Sequence, residues 1–358
     1  MTETHETYIT AKRPTFRRDS PSSPDLIRLG VIGCTPGWSH VAEIYGPQIN
    51  PGLDGDTTFI RATGMRMTLV WDPVDRYADE FAKKFGVERV RSFTGMIGRV
   101  DAVMLSDIAS VLYFYDIARP YLEAKIPLFL NRPFAYSRRT LNRLLDLIVS
   151  CGTPVFYGDE FEHVKEAATV RKTVAEQEPL RGADATNSMS DYASHGIHGI
   201  NWVLACIGGG VTRVSYQTPD YLNPNGLVVL EFAPRTESGK VFYVALQEML
   251  GGLTSASITV YGDKGTFGGD LTWGANRWER YHHVFGPVIL AFQRVIEEGR
   301  MVQSIENLRH RTEVFLAGFY SHLKRNGAPV GLEEVPLNWE APSKLWDSPA
   351  WRAAFGRG

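Results

Sequence analysis

Leu26-Ile27-Arg28-Leu29-Gly30-Val31-Ile32-Gly33-Cys34, followed by Thr35-Pro36-Gly37-Trp38-Ser39-His40, is the stretch that decides the fold. A short apolar run enters a glycine-containing turn, and the residues after the turn can form a helix. That is the opening of a βαβ unit. In such a unit the unpaired N–H groups at the helix start can meet a phosphate. The spacing predicts strand one at about 26–32 and a helix from near Trp38 towards Gln48.

Downstream, Asn50-Pro51-Gly52-Leu53-Asp54-Gly55-Asp56 is turn material. It makes 50–64 an insertion before the second strand, Met65 to Trp71. Asp72-Pro73 closes that strand. Tyr77, Ala78, Phe81, Ala82 and Phe85 then recur at helical spacing up to Gly86. Further strands are expected near 89–93, 101–105, 126–130 and 154–157, with helices at about 111–124 and 138–150. Strands alternating with helices argue for a mostly parallel sheet covered on both faces.

Beyond 152–160 the pattern changes. Helices are expected at 161–176 and 193–207, then extended segments at 211–218, 227–234, 240–249 and 255–261. These suggest an antiparallel sheet with one covered face. Tyr261-Gly262-Asp263-Lys264-Gly265-Thr266-Phe267 reads as its hairpin turn. Helices near 287–298 and 304–325 follow, and a tail carrying Trp339, Trp346 and Trp351 packs on a domain or a partner. The expected divisions are a mobile or surface-draped arm at 1–25, a nucleotide-binding domain at 26–152, an α+β domain at 153–334 and a surface-packed tail at 335–358.

Composition sets bounds on function. The 358 residues suit two domains, and a formal net charge of -2 without a basic stripe argues against a nucleic-acid partner. Cys34, Cys151 and Cys206 are odd in number and widely spaced, so they fit neither a disulfide framework nor a zinc site. A reducing, cytoplasmic setting is expected. The first residues lack a signal-peptide core, and no apolar run is long enough to span a bilayer.

Five stretches together resemble the glucose–fructose oxidoreductase, inositol dehydrogenase and rhizopine-catabolism (Gfo/Idh/MocA) family over about 26–333. They are Leu29 to Cys34; Asn131-Arg132-Pro133, where the family usually has Glu-Lys-Pro; Gly196-Ile197-His198-Gly199-Ile200-Asn201, like its Gly-x-His-x-x-Asp helix start; Ile258 to Gly265; and Ser304 to Leu308, ending near Val330. The resemblance implies an N-terminal Rossmann domain with a doubly wound parallel sheet, and a C-terminal α+β domain with a largely antiparallel open sheet. It also implies a nicotinamide dinucleotide as cofactor, for which the Asp72 carboxylate favours NAD over NADP, and hydride transfer at a carbinol carbon of a sugar, sugar derivative or cyclic polyol. A homo-oligomer is expected, a hetero-oligomer being the alternative.

The departures from the family pattern are informative. In the Gly-x-Gly-x-x-Gly fingerprint the corresponding residues are Gly33, Thr35 and Trp38, with Gly37 one position early. Asp72 either accepts the ribose hydroxyls of NAD or caps the following helix. Ser106, Asp107 and Asn131 end strands where ligands commonly bind, or form ordinary turns. Arg132 keeps the charge of the family lysine but is a poor proton shuttle, so it either holds cofactor or substrate oxygen or only anchors the domain crossover at Pro133. His198 is the candidate base, a structural histidine being the alternative, and Asn201 the orienting residue where the family has aspartate, with Asp191 or His195 to supply the acidic group that it lacks. Asp191, Tyr192, His195 and His198 are candidates for substrate contact, and the aromatic run 273–285 for a sugar wall or an interface. Glu160, Glu162, His163, His195, His198, His282 and His283 lack ligand spacing, so no metal is expected. Two other readings stay open: glycoside cleavage or epimerisation through transient oxidation by NAD, and a non-catalytic binding or partner subunit.

Overall fold

The computed structural model describes residues 6–11, 26–50, 64–189, 191–222, 225–236, 239–250, 255–272, 281–342 and 348–356. Its first sheet is built from β1 (Ile27–Ile32), β2 (Met65–Trp71), β3 (Glu88–Arg89), β4 (Ala102–Leu105), β5 (Leu128–Asn131) and β6 (Val155–Gly158). The strands lie in the order β3-β2-β1-β4-β5-β6, and every pairing is parallel. Strand order reverses between β1 and β4. The carboxyl ends of those two strands therefore bound the crevice where a doubly wound sheet takes its ligand.

Local chemistry explains the helices that cover this sheet. α1 (Gly46–Ile49) is a single turn, preceded by a π-helical turn at Val41–Tyr45. The helix expected from near Trp38 towards Gln48 thus starts at Val41, and its first half is π-helical rather than α-helical. Pro47 supplies no N–H to an α-helical ladder, and a Cβ at Gly46 would lie 2.5 Å from the carbonyl oxygen of Val41. α2 (Asp75–Phe85) buries Ala78, Phe81 and Phe85, and ends at Gly86 with φ +65°. α3 (Phe114–Glu123) follows a 3₁₀ turn, and α4 (Arg138–Cys151) starts at Ser137, which accepts from the Thr140 N–H.

The second domain begins with α5 (Lys165–Gln177) and β7 (Leu180–Met189), continues through α6 (Tyr192–Ile207), β8 (Val211–Gln217), β9 (Gly226–Phe232), β10 (Phe242–Leu250), β11 (Ser255–Gly262) and β12 (Gly265–Thr272), and closes with α7 (Gly286–Glu298), α8 (Ile305–Arg325) and β13 (Val330–Gly331). Its sheet runs β12-β11-β7-β10-β9-β8-β13 and is antiparallel except between β7 and β10. This sheet is thus largely antiparallel, as expected, but one of its interior strands is β7, a strand absent from the sequence reading. Arg181, Gly182, Asp184 and Asn187 have weak strand preference, and the alternating inward positions are the small Ala183 and Ala185 and the polar Asn187, which give little period-two signal. β3 is also shorter than expected, Glu88–Arg89, and a 3₁₀ turn begins at Phe93 where the expected strand would end.

The domains are stitched together near the crevice. Tyr136 Oη donates to the Ala193 carbonyl (2.8 Å), and Arg138 Nε pairs with Glu313 (3.2 Å). Residues of the N-terminal arm dock on the second domain: Met301 N donates to Ile9 O (3.0 Å) and Ile305 N to Thr7 O (3.0 Å). Tail residues reach back to the first domain through α9 (Pro349–Phe355), whose Trp351 is buried. Among the described residues, no helix is long and apolar enough to cross a membrane. Most of the insertion, residues 51–63, lies outside the described residues, as do 273–280 of the aromatic run and Trp346.

Candidate functional site

The turn after β1 is held by carboxylates from neighbouring strands. Gly33 adopts φ +86°, a conformation other residues rarely take, and its N–H donates to the Trp71 carbonyl (2.9 Å). Cys34 N–H donates to Asp72 Oδ2 (2.8 Å), while Asp72 Oδ1 accepts from Val74 N–H (2.8 Å). Thr35 N–H donates to Asp107 Oδ2 (3.0 Å), and Asp107 Oδ1 accepts from Ala109 N–H (2.9 Å). Burial pushes both carboxyls up, Asp107 to about 6. Asp72 thus caps the β2–α2 connection and also braces the glycine turn.

The later N–H groups of the turn are likewise engaged within the chain. Gly37 N–H points at Glu43 Oε1 (3.4 Å). Trp38 and Ser39 donate to the Thr35 carbonyl (3.1 and 3.0 Å), His40 to the Ser106 carbonyl (3.2 Å) and Val41 to Ser106 Oγ (2.8 Å). Asn131 Nδ2 donates to the Ser106 carbonyl (2.8 Å) and so ties the end of β5 to the same turn. A Cβ at Gly33 would stand 2.4 Å from the Asp107 Cβ and 3.1 Å from Trp351 Cζ2. Gly33→Ala is therefore expected to cost about 2–4 kcal/mol, from left-handed backbone strain plus overpacking. Urea unfolding measures the loss. A stability equal to wild type would mean that the turn relaxes freely.

A second cluster forms where the carboxyl ends of β5 and β6 face the start of α6. Arg132 is 2% exposed, and its Nη2 lies 3.1 Å from His40 Nε2. Arg132 Nε and Nη1 have no hydrogen-bond acceptor among the described residues. Glu160, two residues past β6, places Oε1 2.5 Å from His198 Nδ1. Glu160 Oε2 has no hydrogen-bond partner among the described residues and keeps acceptor capacity.

The electrostatics of this cluster follow from burial and neighbours. Burial and the Arg132 charge lower the His198 pKa to about 4, so the ring is neutral at physiological pH. Burial alone would raise Glu160, but His198, protonated by the time the pH is that low, and Arg132 hold it down to about 2, so it is ionised at neutral pH. A carboxylate at Nδ1 favours the Nδ1–H tautomer, which leaves the Nε2 lone pair as the base. Burial and Arg132 also keep His40 neutral, well below the usual imidazole range.

α6 supplies further polar groups. Asp191 caps it, accepting from Ser194 N–H (2.7 Å) and Ser194 Oγ (2.6 Å). His195 Nδ1 meets Ser194 Oγ and stands 3.8 Å from Asp191 Oδ2, and its ring lies 5.3 Å from that of His198.

The fold thus gathers the expected residues into two groups. Gly33, Thr35, Asp72, Ser106 and Asp107 surround the first turn, with Gly37 and Trp38 on its outer side. Arg132, Asp191, His195 and His198 form the second, and Asn131 bridges the two. Tyr192 belongs to neither. It is buried in the second domain, stacked on Tyr216 (4.4 Å) and Phe315 (5.3 Å), and its hydroxyl donates to the Phe315 carbonyl (3.1 Å).

Asn201 turns away from His198. Its Oδ1 accepts from Arg311 Nη1 (3.5 Å), and its Nδ2 donates to Tyr157 Oη (3.4 Å). Arg311 also pairs with Asp159 (2.9 Å) and Glu162 (3.1 Å) behind the cluster. The sequence reading gave no role to His40 and named Glu160 only as a scattered metal candidate. A position just past β6 at the carboxyl edge of the sheet was the available signal for Glu160.

No family model matches the sequence, and no curated protein does. Solved structures match over most of their length. GenD2 of gentamicin A biosynthesis, solved with NAD, superposes with a TM-score of 0.67 at 14% identity, over 90% of this chain and 98% of that one. A myo-inositol dehydrogenase from Corynebacterium glutamicum gives 0.65 at 16% identity, over 86% and 99%. An oxidoreductase from Agrobacterium radiobacter, solved with NAD+, L-tartaric acid and magnesium, gives 0.64 at 14%, over 86% and 98%. At such identities the likeness is one of architecture: the chain has the two-domain fold of these oxidoreductases, a parallel Rossmann sheet joined to a largely antiparallel open sheet.

Proposed function

We propose that this protein is an NAD-dependent oxidoreductase acting on a carbinol carbon of a sugar, sugar derivative or cyclic polyol. The observation that carries the reading is the buried convergence of Arg132, with two unfilled donors, and the Glu160–His198 pair at the carboxyl edge of the parallel sheet. The solved neighbours with NAD and the inositol dehydrogenase add support at the level of the fold.

The residues fit the reacting end of such a cofactor. Among the described residues Arg132 Nε and Nη1 lack acceptors, and Asn131 Oδ1 lacks a donor. A ring carboxamide offers both. Arg132 and Asn131 would hold it, and the nicotinamide, when bound, supplies the hydride acceptor or donor. The chain's own residues do the rest. His198 Nε2 takes the hydroxyl proton during oxidation and returns it during reduction. Glu160 fixes the ring and stabilises its protonated form. Arg132 draws charge onto the reacting oxygen through its guanidinium N–H donors.

The test is a screen of inositols, hexoses and their acids with NAD+, followed as absorbance at 340 nm, with Glu160→Gln in parallel. A polyol or sugar that wild type turns over, and that Glu160→Gln turns over at least tenfold more slowly, is the expected result. Loss of the carboxylate also removes an influence that raises the His198 pKa, so the acid limb of the rate profile moves to lower pH. Turnover indifferent to Glu160 would sink the assignment. Turnover without net NADH would favour transient oxidation within a cleavage or epimerisation.

A further inference from the structure

The adenosine half of the crevice is filled by the chain itself. Trp351 of α9 is 1% exposed. Its ring stacks on Tyr113 (centroids 6.3 Å, planes 14° apart) and meets Trp71 edge-on (5.7 Å, 80°). Phe355, one turn on, stacks on Tyr113 (5.4 Å) and packs on Phe93 (5.1 Å). Trp351 Cζ2 also stands 3.1 Å from the point a Gly33 Cβ would occupy.

These contacts locate the helix without reference to any ligand. Gly33 directly follows β1, Trp71 is the last residue of β2, and Tyr113 lies in the turn after β4. In a doubly wound sheet those three points border the place of a dinucleotide's adenosine, beside the acidic residue that ends the second strand. Asp72, that residue here, spends its oxygens on Cys34 and Val74. The plug is imperfect in one respect: Trp351 Nε1 is buried without a hydrogen-bond partner among the described residues. An unmet buried donor weakens the closed arrangement relative to an open one.

We propose that α9 is an intramolecular occupant of the adenosine site, a latch that a nicotinamide dinucleotide must displace to bind. The inference rests on the NAD reading above and adds a regulatory step to it. Closure makes the binding-competent population a minor one, and apparent affinity falls in proportion to that population. A contact that favours the open form would therefore raise affinity without touching the reacting groups.

The experiment titrates NAD+ and NADH by calorimetry into three proteins: wild type, a chain ending at Pro342, and full-length Trp351→Ala. Hydrogen exchange over 349–355 in wild type, with and without NADH, needs no variant and covers the case in which the shortened chain fails to fold. The latch predicts binding about 10- to 100-fold tighter in the shortened chain, with Trp351→Ala between it and wild type. It also predicts faster exchange in 349–355 when NADH is bound. Equal affinity in all three proteins, with exchange in 349–355 unmoved, overturns the latch and leaves the NAD reading standing. Failure of every folded variant to bind either form of the dinucleotide overturns the NAD reading, and the latch with it.

Discussion

His198→Gln lowers kcat by about 10²- to 10⁴-fold, the usual contribution of a positioned general base, with KM little changed. Glutamine keeps an amide beside Glu160 and fills similar space, so the fold survives and the loss reports on proton transfer alone. The pH dependence separates this from a structural role. With its pKa lowered to about 4, His198 is already unprotonated at pH 5, so the wild-type rate holds from neutrality to near pH 5 and falls only below that. A limb near pH 6.5, the ordinary imidazole value, would mean that the base is a more exposed group. Acid acts on stability in the same direction. His198 resists protonation in the folded state, and Glu160, held down to about 2, must be protonated for acid to unfold the pair. Both groups therefore favour the fold at neutral pH. The His198 share is lost as pH falls from about 6.5 towards 4, and the Glu160 share between about 4.5 and 2.

Arg311→Met costs about 3–5 kcal/mol of folding stability at pH 7, the penalty for orphaning buried carboxylates. Arg311 is 2% exposed and pairs with Asp159 (2.9 Å) and Glu162 (3.1 Å). Even with that cation present, burial raises Asp159 to about 7. Without it, Asp159 keeps its proton in the folded state at neutral pH, while the unfolded chain releases it. A group whose pKa is raised by folding costs more as pH climbs, so the deficit is larger at pH 8 than at pH 5. Urea unfolding at the two pH values measures the difference. A deficit independent of pH would show that lost packing, not charge, explains it.

The order of elements and the first turn are legible in the sequence because they rest on short-range patterns. Leu29, Val31 and Ile32 mark a buried parallel strand, Gly33 marks the turn, and Asp72 closes β2 where strand two runs out. His198 stands out because α6 is apolar on either side of it. What the sequence hides depends on distant partners. Asn201 lies one turn from His198 and was expected beside it, yet Arg311, 110 positions later, claims it. Glu160 acquires its role only when β6 lies next to β5 and α6 crosses above. Trp351 reads as a surface aromatic until the fold brings it over Gly33. β7 is hidden for a different reason: its small and polar residues carry little strand preference, and its neighbours in the sheet supply the order.

The place of β7 also bears on how the second domain assembles. β7 is the first strand of that sheet to leave the ribosome, yet it ends up between β10 and β11, pairing with Phe242–Leu250 and Ser255–Gly262. Its partners in the central ladder lie about 60 positions away in the chain, and no hairpin can bring them together locally. Non-local pairing of this kind lowers folding rates, because loop-closure entropy is spent before any contact returns it. The β8–β9 and β11–β12 hairpins can therefore form early, while β7 waits with both edges unpaired. Its Gly182, Asp184 and Asn187, which made the strand hard to read, also make it a poor template for another chain during that interval.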